Sequence, residues 1–250
     1  MSSSQVQELQ TGLRGRVRAL RLPPMPHPRV PALVRREPFL LVLVAVAAFA
    51  YSAYQIVRYP HYLLPGIDLS IFSQTVWHYS HFEAAQNTIR GFPNILGDHF
   101  SPILVVLAPL YWIWADPRML IAAQGVLVAA SIVPVFLFAE PRIGRVPAYF
   151  LSGAYALFWG ISAGVAFDFH EVAFAPLVLG LTLLFIDRGR WRAYWIALFL
   201  LLCVKEDMSL LTVFLGLYLI ALRQFRRGAI TVVVGAAWYE LATAVLMPHF

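Results

Sequence analysis

Long apolar runs closed by short clusters of arginine constrain this chain more than any other feature. The first run, Phe39 to Val57, carries no charged side chain, and as a helix rising about 1.5 Å per residue it approaches the ~30 Å hydrocarbon thickness of a bilayer. The later runs are Met119 to Ala139, Val146 to Ala166, Val172 to Ile186, Trp191 to Val204, Met208 to Leu222 and Ala229 to Met247. A chain that is 60% hydrophobic and 13% charged is far from a soluble domain, in which roughly a quarter of residues are charged. The expectation is an all-α, polytopic transmembrane helical bundle. The net charge of +6 is not a nucleic-acid footprint, because the arginines stand between apolar stretches, where topology signals lie. The single cysteine, Cys203, sits inside an apolar run. That excludes an internal disulfide and a multi-thiolate metal site, and suits a small core residue.

Residues 1–37 contain Arg14, Arg16, Arg18, Arg21, Arg29, Arg35 and Arg36 with prolines from Pro23 to Pro31, the composition of a disordered basic tail. Tyr51, Tyr54 and Tyr59 gather at the far end of the first run like an interfacial belt. The run from Pro102 to Trp114 is too short for a typical crossing and suits a re-entrant or interfacial helix. Charge decides its role. If it does not cross, Arg142 and Arg145, then Arg188, Arg190 and Arg192, then Arg223, Arg226 and Arg227 all fall inside, as the positive-inside rule requires. The outer side then keeps Asp68, Glu83, Asp98, Asp168, Glu171, Glu206 and Asp207. This gives a cytoplasmic tail over 1–37 and a membrane domain over 38–250 of about seven spans plus outer juxtamembrane helices, amino terminus inside and carboxyl terminus outside. Met247-Pro248-His249-Phe250 reads as the opening of a further outer loop, so the chain is expected to be the amino-terminal part of a longer protein.

Four outer motifs could carry chemistry. Asp68 starts an amphipathic helix, Asp68 to His78, in which Leu69, Phe72 and Val76 recur at helical spacing. It is either a general base for an acceptor hydroxyl or a helix cap. Asp168, His170 and Glu171 interrupt an apolar stretch. Oxygen donors with one imidazole suit magnesium or manganese, whereas the alternative is carboxylates that cap the next helix. Asp98 and His99 precede Pro102 by about one turn, which also fits a helix start. Lys205, Glu206 and Asp207 are either a phosphate-holding group or an internal ion pair. His78 and His81 read as a surface pair, and Gln124 and Glu240 as interhelical hydrogen-bonding groups.

Gly66-Ile67-Asp68-Leu69-Ser70-Ile71-Phe72-Ser73-Gln74, Gly97-Asp98-His99-Phe100-Ser101-Pro102, Phe167-Asp168-Phe169-His170-Glu171 and Lys205-Glu206-Asp207 together resemble the bacterial predicted membrane proteins called domain of unknown function 2079. The resemblance runs from Tyr59 to Phe250 and implies a multi-pass protein of the bacterial plasma membrane. That family's layout is similar to the membrane glycosyltransferases of the C superfamily. What the similarity implies is transfer of a sugar from a polyprenyl-phosphate donor on the outer membrane face. Asp68 would be the catalytic base, Asp98, His99, Lys205, Glu206 and Asp207 would bind substrate or phosphate, and Asp168, His170 and Glu171 would hold a divalent cation. The alternative is a transporter or lipid-binding membrane component without catalysis.

Overall fold

The computed structural model describes residues 37–61, 63, 64 and 66–250; apart from Glu37, the basic tail expected over 1–37 lies outside them. Pro38 opens α1 (Pro38–Arg58), where its fixed φ and missing N–H suit a first turn. After a 3-10 turn at Tyr59–His61, Gly66 takes φ +76°, a conformation cheap only without a Cβ. It turns the chain into α2 (Ile67–Ser80), which buries Leu69, Phe72 and Val76. A 3-10 turn at Pro102–Leu107 leads into α3 (Ala108–Ile113), and the whole is short of membrane-spanning length, as the sequence implies.

Next, α4 (Pro117–Ala130) and α5 (Ile132–Ile143) run on as one apolar helix of 27 residues. Asp116 caps its start by accepting the Arg118 N–H at 2.8 Å. The expected single span from Val146 to Ala166 is instead two helices, α6 (Arg145–Ala156) and α7 (Trp159–Ala166), bent by 41°. The break falls at Phe158, whose backbone is extended. Its ring folds over Gly160, where a Cβ would lie 2.9 Å from it. A 3-10 turn at Glu171–Phe174 precedes α8 (Ala175–Asp187), then α9 (Trp191–Leu202) and α10 (Met208–Ala221). Finally α11 (Phe225–Glu240) continues through a π turn, Leu241–Leu246, into α12 (Met247–His249).

Among the described residues three helices are long and apolar enough to cross a membrane, Pro38–His61, Pro117–Ile143 and Phe225–His249, or four if α6 and α7 form one span. Of the about seven spans expected, these are the three or four that reach membrane-crossing length. Helices α8, α9 and α10 have 13, 12 and 14 residues. At about 1.5 Å per residue they fall well short of ~30 Å. Their ends are set by Gly189 at φ +63°, by the Lys205–Asp207 turn and by Arg223 at φ +62°.

Small residues bring the helices together, as they do in membrane bundles. Gly125 of α4 lies so close to Ser52 of α1 that a Cβ would meet the serine backbone nitrogen at 2.9 Å. Gly216 of α10 faces Gly228 and Val232 of α11, and Gly235 faces Ser209 and Val213. The core runs from Leu69, Phe72 and Val76 through Leu104 and Leu120 to Phe169, Tyr194 and Leu198. At the end of the bundle that holds the start of α1, Arg145 reaches Glu37 at 2.9 Å and Arg142 pairs with Asp187. The opposite end of α1 meets the Gly164–Glu171 segment.

Candidate functional site

Three polar side chains from the long helices fix that segment by its backbone. Gln55 donates to the Phe167 carbonyl, and Arg58 Nη1 donates to the Ala166 carbonyl at 3.0 Å. From α4, Gln124 Nε2 donates to Gly164 and Phe167 carbonyls at 3.4 and 3.3 Å, while its Oε1 accepts the His170 N–H at 3.1 Å. Gln55 and Gln124 are both buried, so their amides satisfy backbone groups that hydrocarbon could not. The polar anchors of the segment are thus on helices distant in sequence. The sequence reading missed Gln55 and Arg58, although polar groups near the end of an otherwise apolar run are a visible signal.

Held this way, Phe169 is buried against Phe72, ring centroids 5.8 Å apart, and the flanking ionisable groups face α2. Asp168 Oδ2 accepts the Leu69 N–H at 3.2 Å. Asp168 therefore caps the helix whose N-cap position is Gly66, and Asp68 stands in the first turn of that helix. The first-turn carboxylate of Asp68 stays partly exposed, its Oδ2 4.0 Å from His170 Nε2. On the other side of that imidazole, Nδ1 lies 2.7 Å from Glu171 Oε2, and Glu171 Oε1 lies 3.0 Å from Lys205 Nζ. Glu171 is fully buried. Burial pushes its carboxyl up, but His170 and Lys205 outweigh burial and hold it below the usual range. Lys205 answers in kind: burial pulls it down, and Glu171 more than compensates, leaving it raised. Burial and the neighbouring Asp68 raise Asp168 despite the Leu69 N–H.

The other two motifs join the same end of the bundle. Glu206 Oε2 accepts the Phe100 N–H at 2.9 Å and its Oε1 lies 3.4 Å from His99 Nδ1, tying the Gly97–Pro102 motif to the Lys205–Asp207 turn. Glu206 raises His99 against the effect of burial. Burial lifts Glu206, yet His99 and backbone N–H groups leave it lowered. Asp98 is gripped by Arg90 through two bonds, 2.7 and 2.8 Å, and that guanidinium lowers it. Asp207 points outward, exposed at the start of α10. His78 pairs with Glu83 at 2.9 Å on the surface.

Of the residues expected to bind a metal, Asp168 turns to the α2 start while both Glu171 oxygens face His170 and the Lys205 ammonium, a positive charge already in place. Among the described residues no three His, Cys, Asp or Glu side chains converge as a metal-holding group. Asp168 Oδ1, His170 Nδ1 and both Glu171 oxygens are nevertheless buried without a hydrogen-bond partner, so the residues expected to hold magnesium or manganese offer unbonded donors that do not converge as arranged.

What the geometry can do chemically is narrower. It presents a partly exposed carboxylate beside an imidazole, with a buried carboxylate and a lysine behind it. Fold and site together define an all-helical membrane protein with an ionisable cluster at one end of its helices. A family model described as predicted membrane protein (DUF2079) matches residues 60–250, and the chain belongs to that family. No curated protein and no solved structure matches it.

Proposed function

We propose that this chain is a membrane-embedded transferase that moves a sugar from a polyprenyl-phosphate donor at the outer membrane face, the four acidic motifs lining its site. The observation that supports it is the row Asp68, His170, Glu171 and Lys205, with successive separations of 4.0, 2.7 and 3.0 Å. Asp68 is the group free to take a proton from an acceptor hydroxyl. Glu171 positions His170, and the Lys205 ammonium offsets the charge of the departing phosphate. Lys205 has three N–H donors, so one can meet Glu171 while others meet an anion. In this reading the positive charge comes from Lys205, and Asp98, Glu206 and Asp168 shape the site by holding Arg90, Phe100 and α2.

The test is transfer or hydrolysis of a labelled polyprenyl-phosphate sugar by purified protein, with and without added magnesium or manganese. Activity lost in Asp68→Asn and retained in Asp98→Asn supports the assignment. Full activity in Asp68→Asn overturns it. A second reading, a lipid-binding component without chemistry, is favoured by the internal pairing of Asp98, Glu171 and Glu206. Binding of the lipid without turnover in the unaltered protein selects it.

A further inference from the structure

A groove of about 430 Å³ lies between α1 and α7, walled by Ala50, Tyr51 and Tyr54 on one side and Ala163, Val165 and Ala166 on the other. Its volume is that of a small-molecule site, and its walls are mostly apolar. Arg58 adjoins two residues of its wall: the guanidinium lies 4.9 Å over the Tyr54 ring and donates to the Ala166 carbonyl. Four arginines of the described residues meet acids, Arg90 with Asp98, Arg118 with Asp116, Arg142 with Asp187 and Arg145 with Glu37, whereas Arg188 and Arg227 donate to the neutral oxygens of Leu137 and Gln224. Arg58 bonds only neutral oxygens, Gln55 Oε1 at 3.2 Å, Ala166 at 3.0 Å and Leu63 at 2.7 Å. No carboxylate of the described residues pairs with it. Three of its five N–H groups are used, so charge and donors both remain for an anion.

We propose that this groove seats one acyl chain of an anionic phospholipid of the surrounding bilayer, its phosphate on Arg58. An arginine fork suits a phosphate and adds a charge-assisted bond, while the apolar walls take the chain. The groove contains none of Asp68, His170 or Lys205, so the proposal stands apart from the transfer reading. A lipid held there also braces the site. Arg58 and Gln55 hold the Ala166 and Phe167 carbonyls, and the next residue, Asp168, caps α2.

The test is native mass spectrometry of the purified protein titrated with dioleoyl phosphatidylglycerol or with dioleoylglycerol, a neutral lipid with the same acyl chains and no phosphate. Retention of the anionic lipid is expected to exceed that of the neutral one by about tenfold, one charge-assisted hydrogen bond's worth. Arg58→Gln removes this preference and Arg58→Lys keeps most of it. Because Arg58 also tethers the Ala166 segment, Ala163→Phe serves as a second variant: it fills the groove, leaves Arg58 intact and abolishes retention of the anionic lipid. Equal retention of the two lipids by the unaltered protein overturns the proposal. So does an undiminished preference in Arg58→Gln, or unchanged lipid retention in Ala163→Phe. A dimer that Ala163→Phe disrupts while lipid retention persists overturns it as well, in favour of a second copy of this chain.

Discussion

Asp168 Oδ2 accepts the backbone N–H of Leu69 at 3.2 Å, so the carboxylate of one motif closes the helix that displays Asp68, the central residue of another. Two motifs a hundred residues apart in sequence are thereby one structural unit. Asp68, in the first turn of that helix, faces His170.

Replacing Asp168 by Ala removes this cap. The expected cost is about 1 kcal/mol, the usual worth of an N-cap side chain, with faster proteolysis near Gly66. Asp168→Asn keeps an acceptor for the Leu69 N–H and, because burial already raises this carboxyl, costs less. Thermal unfolding in detergent compares the two. Equal losses would show that charge, and not the cap bond, is what matters.

Glu171 and Lys205 form a buried ion pair at 3.0 Å. Removing one partner of such a pair is expected to cost about 3–5 kcal/mol, since the remaining charge loses its compensation. Lys205→Met is therefore strongly destabilising. Adding Glu171→Gln to it should recover part of the loss, because the double variant buries no orphan charge. A double-mutant cycle on denaturation midpoints gives the coupling, and strict additivity would mean that the two groups do not support each other.

His99 and Glu206 set a stability window in pH. Glu206 is lowered in the fold, so its contribution is present above the ordinary carboxylate range and is lost as pH falls through the lowered value. His99 is raised, so its contribution is present below the ordinary imidazole value and fades as pH rises through the raised one. Melting temperature should be greatest between the two. His99→Gln should flatten the alkaline decline and leave an acid limb from Glu171, which is also lowered. An alkaline limb unchanged in that variant would assign it elsewhere.

The crossing of α10 and α11 depends on glycine. A Cβ on Gly228 would meet the Gly216 carbonyl oxygen at 2.7 Å and the Ile220 nitrogen at 2.9 Å, both backbone atoms that cannot rotate away. Gly228→Ala is expected to destabilise by about 1–3 kcal/mol, the range for overpacking. Gly153, inside α6 and where a Cβ meets nothing within 4 Å, is the control, and its alanine variant should unfold at or slightly above the unaltered temperature.

Much of the helix plan was legible because apolar length and charge are one-dimensional signals. The run read as Phe39 to Val57 is Pro38–Arg58, the short one read as Pro102 to Trp114 is Pro102–Ile113, and the amphipathic helix around Asp68 is Ile67–Ser80. The break at Phe158 was not legible, since it depends on a ring lying over Gly160 and no proline marks it. Partner choice was equally hidden. Spacing brings Asp98 to a turn, but only the fold gives it to Arg90 and gives Phe100 to Glu206. Residue type announced that carboxylates would gather; it could not say that Glu171 would be spent on His170 and Lys205.

Whether α9 crosses the bilayer is the prediction on which an outer-face site depends. Its 12 residues span about 18 Å, so a crossing requires local thinning or flanking side chains that reach the interface, both of modest cost. The charges at its two ends favour that outcome. Arg188, Arg190 and Arg192 lie before or at its start, and Lys205, Glu206 and Asp207 follow its end, where they join the cluster around Asp68. The sole cysteine, Cys203, is buried, so single-cysteine labelling begins from a quiet background. Arg190→Cys and Asp207→Cys replace exposed side chains at opposite ends of the α9 and turn unit. In intact cells a membrane-impermeant maleimide is expected to label Asp207→Cys, and to label Arg190→Cys only after permeabilisation. The reverse pattern would put the ionisable cluster on the cytoplasmic side. Labelling of both from one side would make α9 a re-entrant helix, and the cluster would then stand at the end of the three or four long spans alone.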